Sequence, residues 1–352
     1  MRMRRGVIAV MVSSALFGAS TPLARSLVGA VDPLWLAGLL YAGSGLGLCA
    51  ILALRHWRIV GGAAGVTRIA PGDLRWLAAT IVAGGVVAPL LFTFGLRDTS
   101  GAAASLLLNL ETVLTVVIAW FVFDEHRNAR VVTGMALIVA ACALLGWDRS
   151  GDSRFGWGAM LIAAACLCWA LDNNLTRRIS GNDAMLIAAS KGLAGGGVNV
   201  ALAALLAGAP PAPTAALAAG AVGFLGYGVS LTLFVVALRE VGVARASAYY
   251  GSAPFFGAAV ALVVLGERPD ASFWIAAPLM ALGVWLHLTE RHLHEHAHER
   301  LEHTHPHAHD AHHRHDHDFP WDGSEPHVHA HVHEPAVHAH RHDPDLHHRH
   351  EH

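Results

Sequence analysis

Apolar stretches of roughly twenty residues, separated by short polar connectors, run through the chain up to about Leu288, and a helix of that length crosses a ~30 Å hydrocarbon core. The connectors are rich in proline, glycine and charged residues, as at 31–33 and 209–211. This pattern predicts an all-α membrane protein with about ten transmembrane helices. The predicted spans are 6–28, 34–54, 76–96, 102–123, 131–147, 157–176, 185–207, 216–238, 243–265 and 272–288.

Composition separates this membrane part from a polar tail. Hydrophobic residues make up 54% of the chain and charged residues 14%, whereas a soluble protein carries about 25% charged residues. From Thr289 onward the chain has 13 acidic residues and 5 arginines, and the part before it has 13 acidic and 19 basic residues. The membrane part is therefore basic and the tail is acidic.

The arginines predict the orientation of the spans. If the N-terminus lies in the cytoplasm, thirteen arginines fall on the cytoplasmic side and five on the other. Cytoplasmic loops of membrane proteins carry this excess. An even number of spans then places the C-terminal tail in the cytoplasm as well, and the protein in the cytoplasmic membrane.

The two halves of the membrane part resemble each other. Ser105 and Glu125 bound a block in the first half, and Ser247 and Glu267 bound a similar block 142 residues later. Five spans per half is an odd number, so the second copy enters the membrane upside down. The predicted domains are a first five-helix repeat at 1–147, a second at 148–288, and a tail at 289–352.

Inverted repeats are typical of secondary transporters, whose two halves enclose the substrate near the middle of the membrane. An intramembrane enzyme has no need of this symmetry. The His294-Glu295-x-x-His298 sequence matches a zinc-protease motif, but a tail with histidine at nearly every second position produces such matches by chance. The chain has no phosphate-binding loop for ATP. We therefore predict a transporter that is not an enzyme and is not driven by ATP.

Three motifs recur in each half: Ala104-Ser105, Leu110-Glu111-Thr112 and Asp124-Glu125 in the first, and Ala246-Ser247, Ala253-Pro254 and Gly266-Glu267 in the second. They resemble the motifs of the drug/metabolite transporter superfamily, EamA type. The family pattern has a proline where this chain has Thr112 and a second glutamate where it has Ala253. The resemblance covers residues 6–288 and implies ten helices in two repeats that export or exchange small organic solutes, often with protons.

Few charged residues fall inside the predicted spans, and such residues are functional candidates because they are costly in lipid. Glu111 is the first candidate for proton coupling or substrate contact; the alternative is a structural carboxyl that bonds two helices. Asp172 and Lys191 form either a buried pair that helps insertion or a substrate contact. Asn109, Tyr249 and Tyr250 are predicted to line the transport pathway.

The tail holds 23 of the 26 histidines, often at alternate positions. Imidazole binds divalent Zn, Ni, Co and Cu, so we expect the tail to bind such a metal, although the transporter requires no cofactor. Its polar composition predicts disorder without metal. Its histidines could also sense pH, since an unperturbed imidazole titrates near ~6.5. The predicted ligands are His303, His305, His307, His309, His327, His329, His331 and His333.

The cargo remains open between a small organic solute and a divalent transition metal. The spans lack clusters of histidine and carboxylate that could replace a metal's hydration shell, which favours an organic solute, whereas the tail favours metal. A membrane-anchored metal sensor or buffer without transport is a third hypothesis. The expected partners are the substrate and the lipid bilayer, with a homodimer possible and nucleic acid excluded.

Overall fold

The structure is a computed structural model, and it divides the chain into two compact units, Met1–Thr289 and Glu290–His352. Each unit is described by itself below. The described residues are 2–59, 69, 71–123, 129–147, 156–179 and 182–288 of the first unit, and the backbone of 293–298, 301–307, 327–333 and 336–341 of the second.

Ten apolar helices form the described part of the first unit. Nine are long and apolar enough to cross a membrane, and the tenth is a shorter apolar helix. The prediction of an all-α membrane protein is confirmed. The helices are α1 Arg2–Leu27, α2 Pro33–Ile59, α3 Pro71–Gly95, α4 Gly101–Phe123, α5 Ala129–Gly146, α6 Trp157–Arg177, α7 Ala184–Leu206, α8 Pro213–Val241, α9 Val243–Val263 and α10 Ala271–Leu288.

Two helices contain π-helical segments at equivalent places in the two halves. The segment in α3 is Ile81–Val87 and that in α8 is Phe224–Val229, so they begin 143 residues apart, at 81 and 224. Both segments contain two buried glycines. A π-helical turn interrupts the regular hydrogen-bond ladder and is frequent at functional sites. The repeat predicted from sequence spacing therefore reappears as a repeat in helix geometry.

A second pair of irregularities follows the same spacing. Helix α4 is interrupted at Leu108, between Gly101–Leu107 and Asn109–Phe123. Helix α9 is interrupted between Val243–Tyr250 and Ala253–Val263. Broken helices at membrane depth are tolerated where neighbouring helices or a cavity satisfy the freed backbone groups. Both halves thus carry one π-helical and one interrupted helix.

The packing of the helices is reciprocal between the two halves. Helix α1 packs on α8 and α9, and its counterpart α6 packs on α3 and α4. Helix α2 packs on its own counterpart α7, and α5 packs on its own counterpart α10. This is the arrangement that a two-fold relation between inverted halves produces, and the predicted two-repeat architecture agrees with it.

Glycines allow the α2 and α7 backbones to meet. A Cβ built on Gly192 would lie 2.7 Å from both Cα and N of Gly45, and one built on Gly38 would lie 2.7 Å from the backbone nitrogen of Val200. Side chains at these positions would collide with backbone, which cannot turn aside. Small residues therefore set the distance between the two halves at this seam.

Polar contacts join connectors at the two ends of the unit. Arg97 bonds Asp32 at 3.2 Å, and the Nε of Arg25 donates to the Thr99 carbonyl at 2.9 Å. Arg25 thus ties the end of α1 to the connector before α4. At the other end Arg5 lies 3.5 Å from Glu240. Each contact joins chain ends that alternating spans place on the same side.

Four short segments of the tail form two antiparallel pairs of strands in the second unit, where composition alone predicted disorder. Histidine alternating with other residues gives the period of two that suits an extended chain. Strand β1 also contains the protease-like motif, which requires a helix. The strands are β1 Leu293–His298, β2 Leu301–His307, β3 His327–His333 and β4 Ala336–Arg341, with β1 paired to β4 and β2 to β3.

Candidate functional site

A lysine–aspartate pair joins α6 to α7 inside the bundle. The Lys191 ammonium bonds the Asp172 carboxylate, and the two side chains are 19% and 6% exposed. The hydroxyl of Thr176, one turn further along α6, donates to the other Asp172 oxygen at 3.1 Å. The structure therefore forms the buried pair that the sequence suggested, with both carboxylate oxygens occupied.

The π-helical segment of α3 provides the surface on which this carboxylate rests. A Cβ built on Gly84 would collide with the side chain of Asp172. The carbonyl of Gly84 also accepts a hydrogen bond from the indole nitrogen of Trp169 at 3.2 Å. A glycine here is what lets α3, from the first half, approach the charged pair of the second half.

Glu111 lies across the same interface between the halves. It sits in the first turn after the interruption of α4, where its backbone N–H donates to the Leu108 carbonyl at 3.1 Å. Its carboxylate accepts a hydrogen bond of 2.8 Å from the amide of Asn173, the residue after Asp172. Among the described residues Glu111 makes no ion pair. The sequence singled out Glu111 and Asp172 separately, and the structure places them on adjoining faces of α4 and α6.

Asn109 and Tyr249, two of the three predicted lining residues, make local contacts. The Asn109 side chain is buried and donates to the carbonyl of Leu106 at 3.1 Å, which satisfies a backbone group at the break in α4. Tyr249 is 40% exposed, and its backbone carbonyl accepts a 3.3 Å bond from the hydroxyl of Ser14. Their lining roles stay predictions.

A row of aromatic side chains connects five helices of the unit, and of its members the sequence had singled out Tyr250 alone. The Trp169 indole nitrogen donates to the Tyr41 hydroxyl at 3.0 Å. The ring centroids then follow at 5.8 Å from Tyr41 to Tyr227, 6.0 Å from Tyr227 to Phe17, and 5.4 Å from Phe17 to Tyr250. These five residues, the aromatic row, come from α6, α2, α8, α1 and α9.

The repeat itself contained a signal for this row. The first helix of each half matches at an offset of 152, which pairs Phe17 with Trp169 and Ser20 with Asp172. Gly226 approaches Ser20 as Gly84 approaches Asp172, since a Cβ built on Gly226 would lie 2.5 Å from Cβ of Ser20. Both halves therefore have the close approach of a glycine and the aromatic ring, but the carboxylate is present in one half only.

Metal ligands are not gathered in the part of the chain that the structure describes, where no group of three histidine, cysteine or carboxylate residues could hold an ion. Of the predicted tail ligands, His309 lies outside the described residues. The other seven belong to β2 and β3. There the backbone register pairs His303 with His331, and His305 with His329.

Known proteins match both halves. A model of the EamA-like transporter family matches residues 4–147 and 156–289. The chain is 27% identical over 297 residues to an uncharacterized transporter of Methanothermobacter thermautotrophicus, a match that covers 81% of this chain and 87% of that protein. It is also 38% identical over 113 residues to a probable 4-amino-4-deoxy-L-arabinose-phosphoundecaprenol flippase subunit, ArnE, of Pseudomonas aeruginosa, covering 32% of this chain and 94% of that subunit.

A solved crystal structure has the same fold. It aligns with a TM-score of 0.56 at 23% identity, over 81% of this chain and 94% of its own. The two family matches correspond to the two five-helix halves seen in the structure, and the resemblance predicted from the repeat motifs is confirmed. The chain is a multi-pass integral membrane protein that belongs to the EamA-like transporter family.

Proposed function

We propose that the chain is a secondary transporter that exports a small organic solute across the cytoplasmic membrane, with both termini in the cytoplasm. The observation that carries the proposal is the polar cluster of Glu111, Asp172 and Lys191 between the two halves. Ionisable residues at membrane depth that face the bundle interior mark transport pathways. Secondary transporters bind their substrate at the repeat interface, next to broken helices.

The three residues would have different roles in transport. Glu111 is held by a neutral amide, so its carboxylate is available to a solute or a proton. Asp172 and Lys191 already satisfy each other and would position α6 against α7. Rocking of one half against the other would then expose the cluster to each side in turn. The named cargo of the Pseudomonas relative is organic, which also favours an organic solute here.

Replacing Glu111 with glutamine tests this function. We expect the variant to export the solute at least about tenfold more slowly, because a lost contact of ~1.4 kcal/mol in the transition state is one decade in rate. Solutes released by cells that express the full chain, the variant or no transporter would be quantified by mass spectrometry.

Asp98→Asn is the matched control, since it makes the same chemical change at an exposed connector residue. It should export like the unaltered chain. Export that Glu111→Gln leaves unchanged would remove Glu111 from the pathway. Identical release with and without the full chain would refute transport outward, and the reverse assay of uptake would then decide whether the protein transports at all.

For the tail we propose binding of a divalent transition metal. The register of β2 and β3 places histidine opposite histidine at successive alternate positions, and residues directly opposite in antiparallel strands lie about 5 Å apart. Imidazole is a ligand for Zn, Ni, Co and Cu. The membrane unit offers no comparable group among its described residues, so the tail would buffer or sense metal while the bundle carries another solute.

Removing the tail after Leu288 should abolish zinc binding while leaving transport of the organic solute in place. Zinc bound by the purified full chain and the shortened chain would be measured by calorimetry. Cells loaded with zinc, nickel or cobalt would be followed for metal loss over minutes. If the full chain accelerates metal loss and Glu111→Gln abolishes that acceleration, metal is the cargo instead. The tail would then act as donor or gate.

A further inference from the structure

We propose that the transported solute is an organic cation, an amine with an aromatic or apolar body, bound between the Glu111 carboxylate and the aromatic row. This inference rests on the proposed function and names the class of solute for the same site. Three features of the structure support it: the charge balance of Glu111, Asp172 and Lys191, the contacts between the aromatic rings, and the position of Glu111 beside the row.

The charge balance of the cluster leaves one carboxylate without a cation. Lys191 neutralises Asp172, and Thr176 completes the bonds of that carboxylate. Glu111 accepts a bond from Asn173 and makes no ion pair among the described residues. A carboxylate at membrane depth that lacks a counter-ion is costly, and either a proton or a cationic ligand would remove that cost.

The aromatic row supplies the complementary surface for a cation with an apolar body. Its five members are half-buried and follow one another from Trp169 to Tyr250 by a hydrogen bond and three ring contacts. The face of an aromatic ring is negative, and it attracts an ammonium group by about 0.5–2 kcal/mol. Rings from both halves take part, so the row would change its geometry when the halves move.

Glu111 connects the carboxylate side of the site to the aromatic side. Its partner Asn173 stands four residues after Trp169 on α6, so the side chains of Asn173 and Trp169 share one face of that helix. Asp172, which pairs with Lys191, is the neighbour of Asn173 on the same helix. An ammonium group that pairs with Glu111 would therefore adjoin the rings, and its apolar body would lie along the row.

The same residues disfavour the other classes of solute. An organic anion would need a cation at membrane depth, and Lys191 is already paired. A divalent metal would need several hard or imidazole ligands, and the described residues hold no such group. A neutral solute would gain nothing from the Glu111 charge, which a proton would then have to neutralise. The cation is the class for which the site provides both a charge and a surface.

Three probes of matched size test the class on the purified full chain: 2-phenylethylamine, 2-phenylethanol and 3-phenylpropionate. We expect the amine to bind at least about tenfold more tightly than the alcohol and the acid, measured by calorimetry in detergent. Glu111→Gln should weaken binding of the amine by about tenfold and leave binding of the alcohol unchanged. Phe17→Leu should weaken binding of the amine, whereas Phe17→Tyr, which keeps the ring, should not.

Equal binding of the amine and the alcohol, or tighter binding of the acid, overturns the cation class. These comparisons use the unaltered chain and do not depend on the folding of any variant. An amine preference that survives Glu111→Gln overturns the assignment of the charge to Glu111. Transport is read separately in the export assay, so a transporter of neutral or anionic solutes would refute this inference while leaving the proposed function in place.

Discussion

Replacing Lys191 with methionine should destabilise the protein by about 3–5 kcal/mol, the cost of removing one partner from a buried ion pair. Methionine is a similar unbranched side chain, so the change removes the charge with little change in shape. The Asp172 carboxylate, 6% exposed and pressed against Gly84, would then remain buried without its counter-ion. The free energy of unfolding in mixed detergent micelles measures the loss.

The double variant Lys191→Met with Asp172→Asn is the matched control. It removes both charges and should recover most of the lost stability, because a neutral pair leaves no charge uncompensated. A double variant as unstable as the single one would show that the pair does not carry the effect. Transport by the double variant separates the two interpretations of the pair: export returns with stability if the pair is structural, and stays lost if it contacts the solute.

Replacing Gly192 with alanine should destabilise the contact between the two halves by about 1–3 kcal/mol, the usual cost of overpacking. The new Cβ would lie 2.7 Å from Gly45 backbone atoms and 2.9 Å from the carbonyl oxygen of Tyr41. Helices α2 and α7 would have to move apart. Because α2 carries Tyr41 and α7 carries Lys191, we expect export to fall together with stability.

Gly197→Ala is the control on the same helix. A Cβ at Gly197 meets nothing within 4 Å, so alanine there should be neutral or stabilise the helix by up to ~1 kcal/mol through its better helix propensity. Unfolding measurements on the two variants under the same conditions compare them directly. Equal effects of the two substitutions would show that close packing at Gly192 does not set the distance between the halves.

Much of the architecture could be predicted from the chain alone. Apolar length predicted ten helices, and the offset of 142 predicted two halves, because each needs only a local pattern or a comparison of the sequence with itself. The π-helical segments and the interruptions in α4 and α9 could not be read in this way. They depend on what each helix packs against, since glycines such as Gly84 occur in regular helices as well.

The candidate site, too, could be predicted only in part from the sequence. Glu111, Asp172 and Lys191 stood out because a charge at membrane depth is rare and costly. The contacts of Lys191 with Asp172 and of Asn173 with Glu111 required the fold, since neighbouring helices can rotate to present different faces. For the aromatic row the sequence showed Tyr250 as a lining candidate and the match of Phe17 with Trp169, but not the contacts between the rings.

The sequence by itself determined the solvent of this protein, the number of its helices and their inverted repetition, because hydrophobic length and periodicity act locally along the chain. The tertiary structure decided that Lys191 pairs with Asp172 and that Glu111, among the described residues, accepts its bond from a neutral amide. Those outcomes depend on helix rotation and on close approaches between residues far apart in sequence, such as Gly84 and Asp172. The position of the Glu111 carboxylate, bonded to Asn173 one turn from Trp169, is likewise a product of the fold.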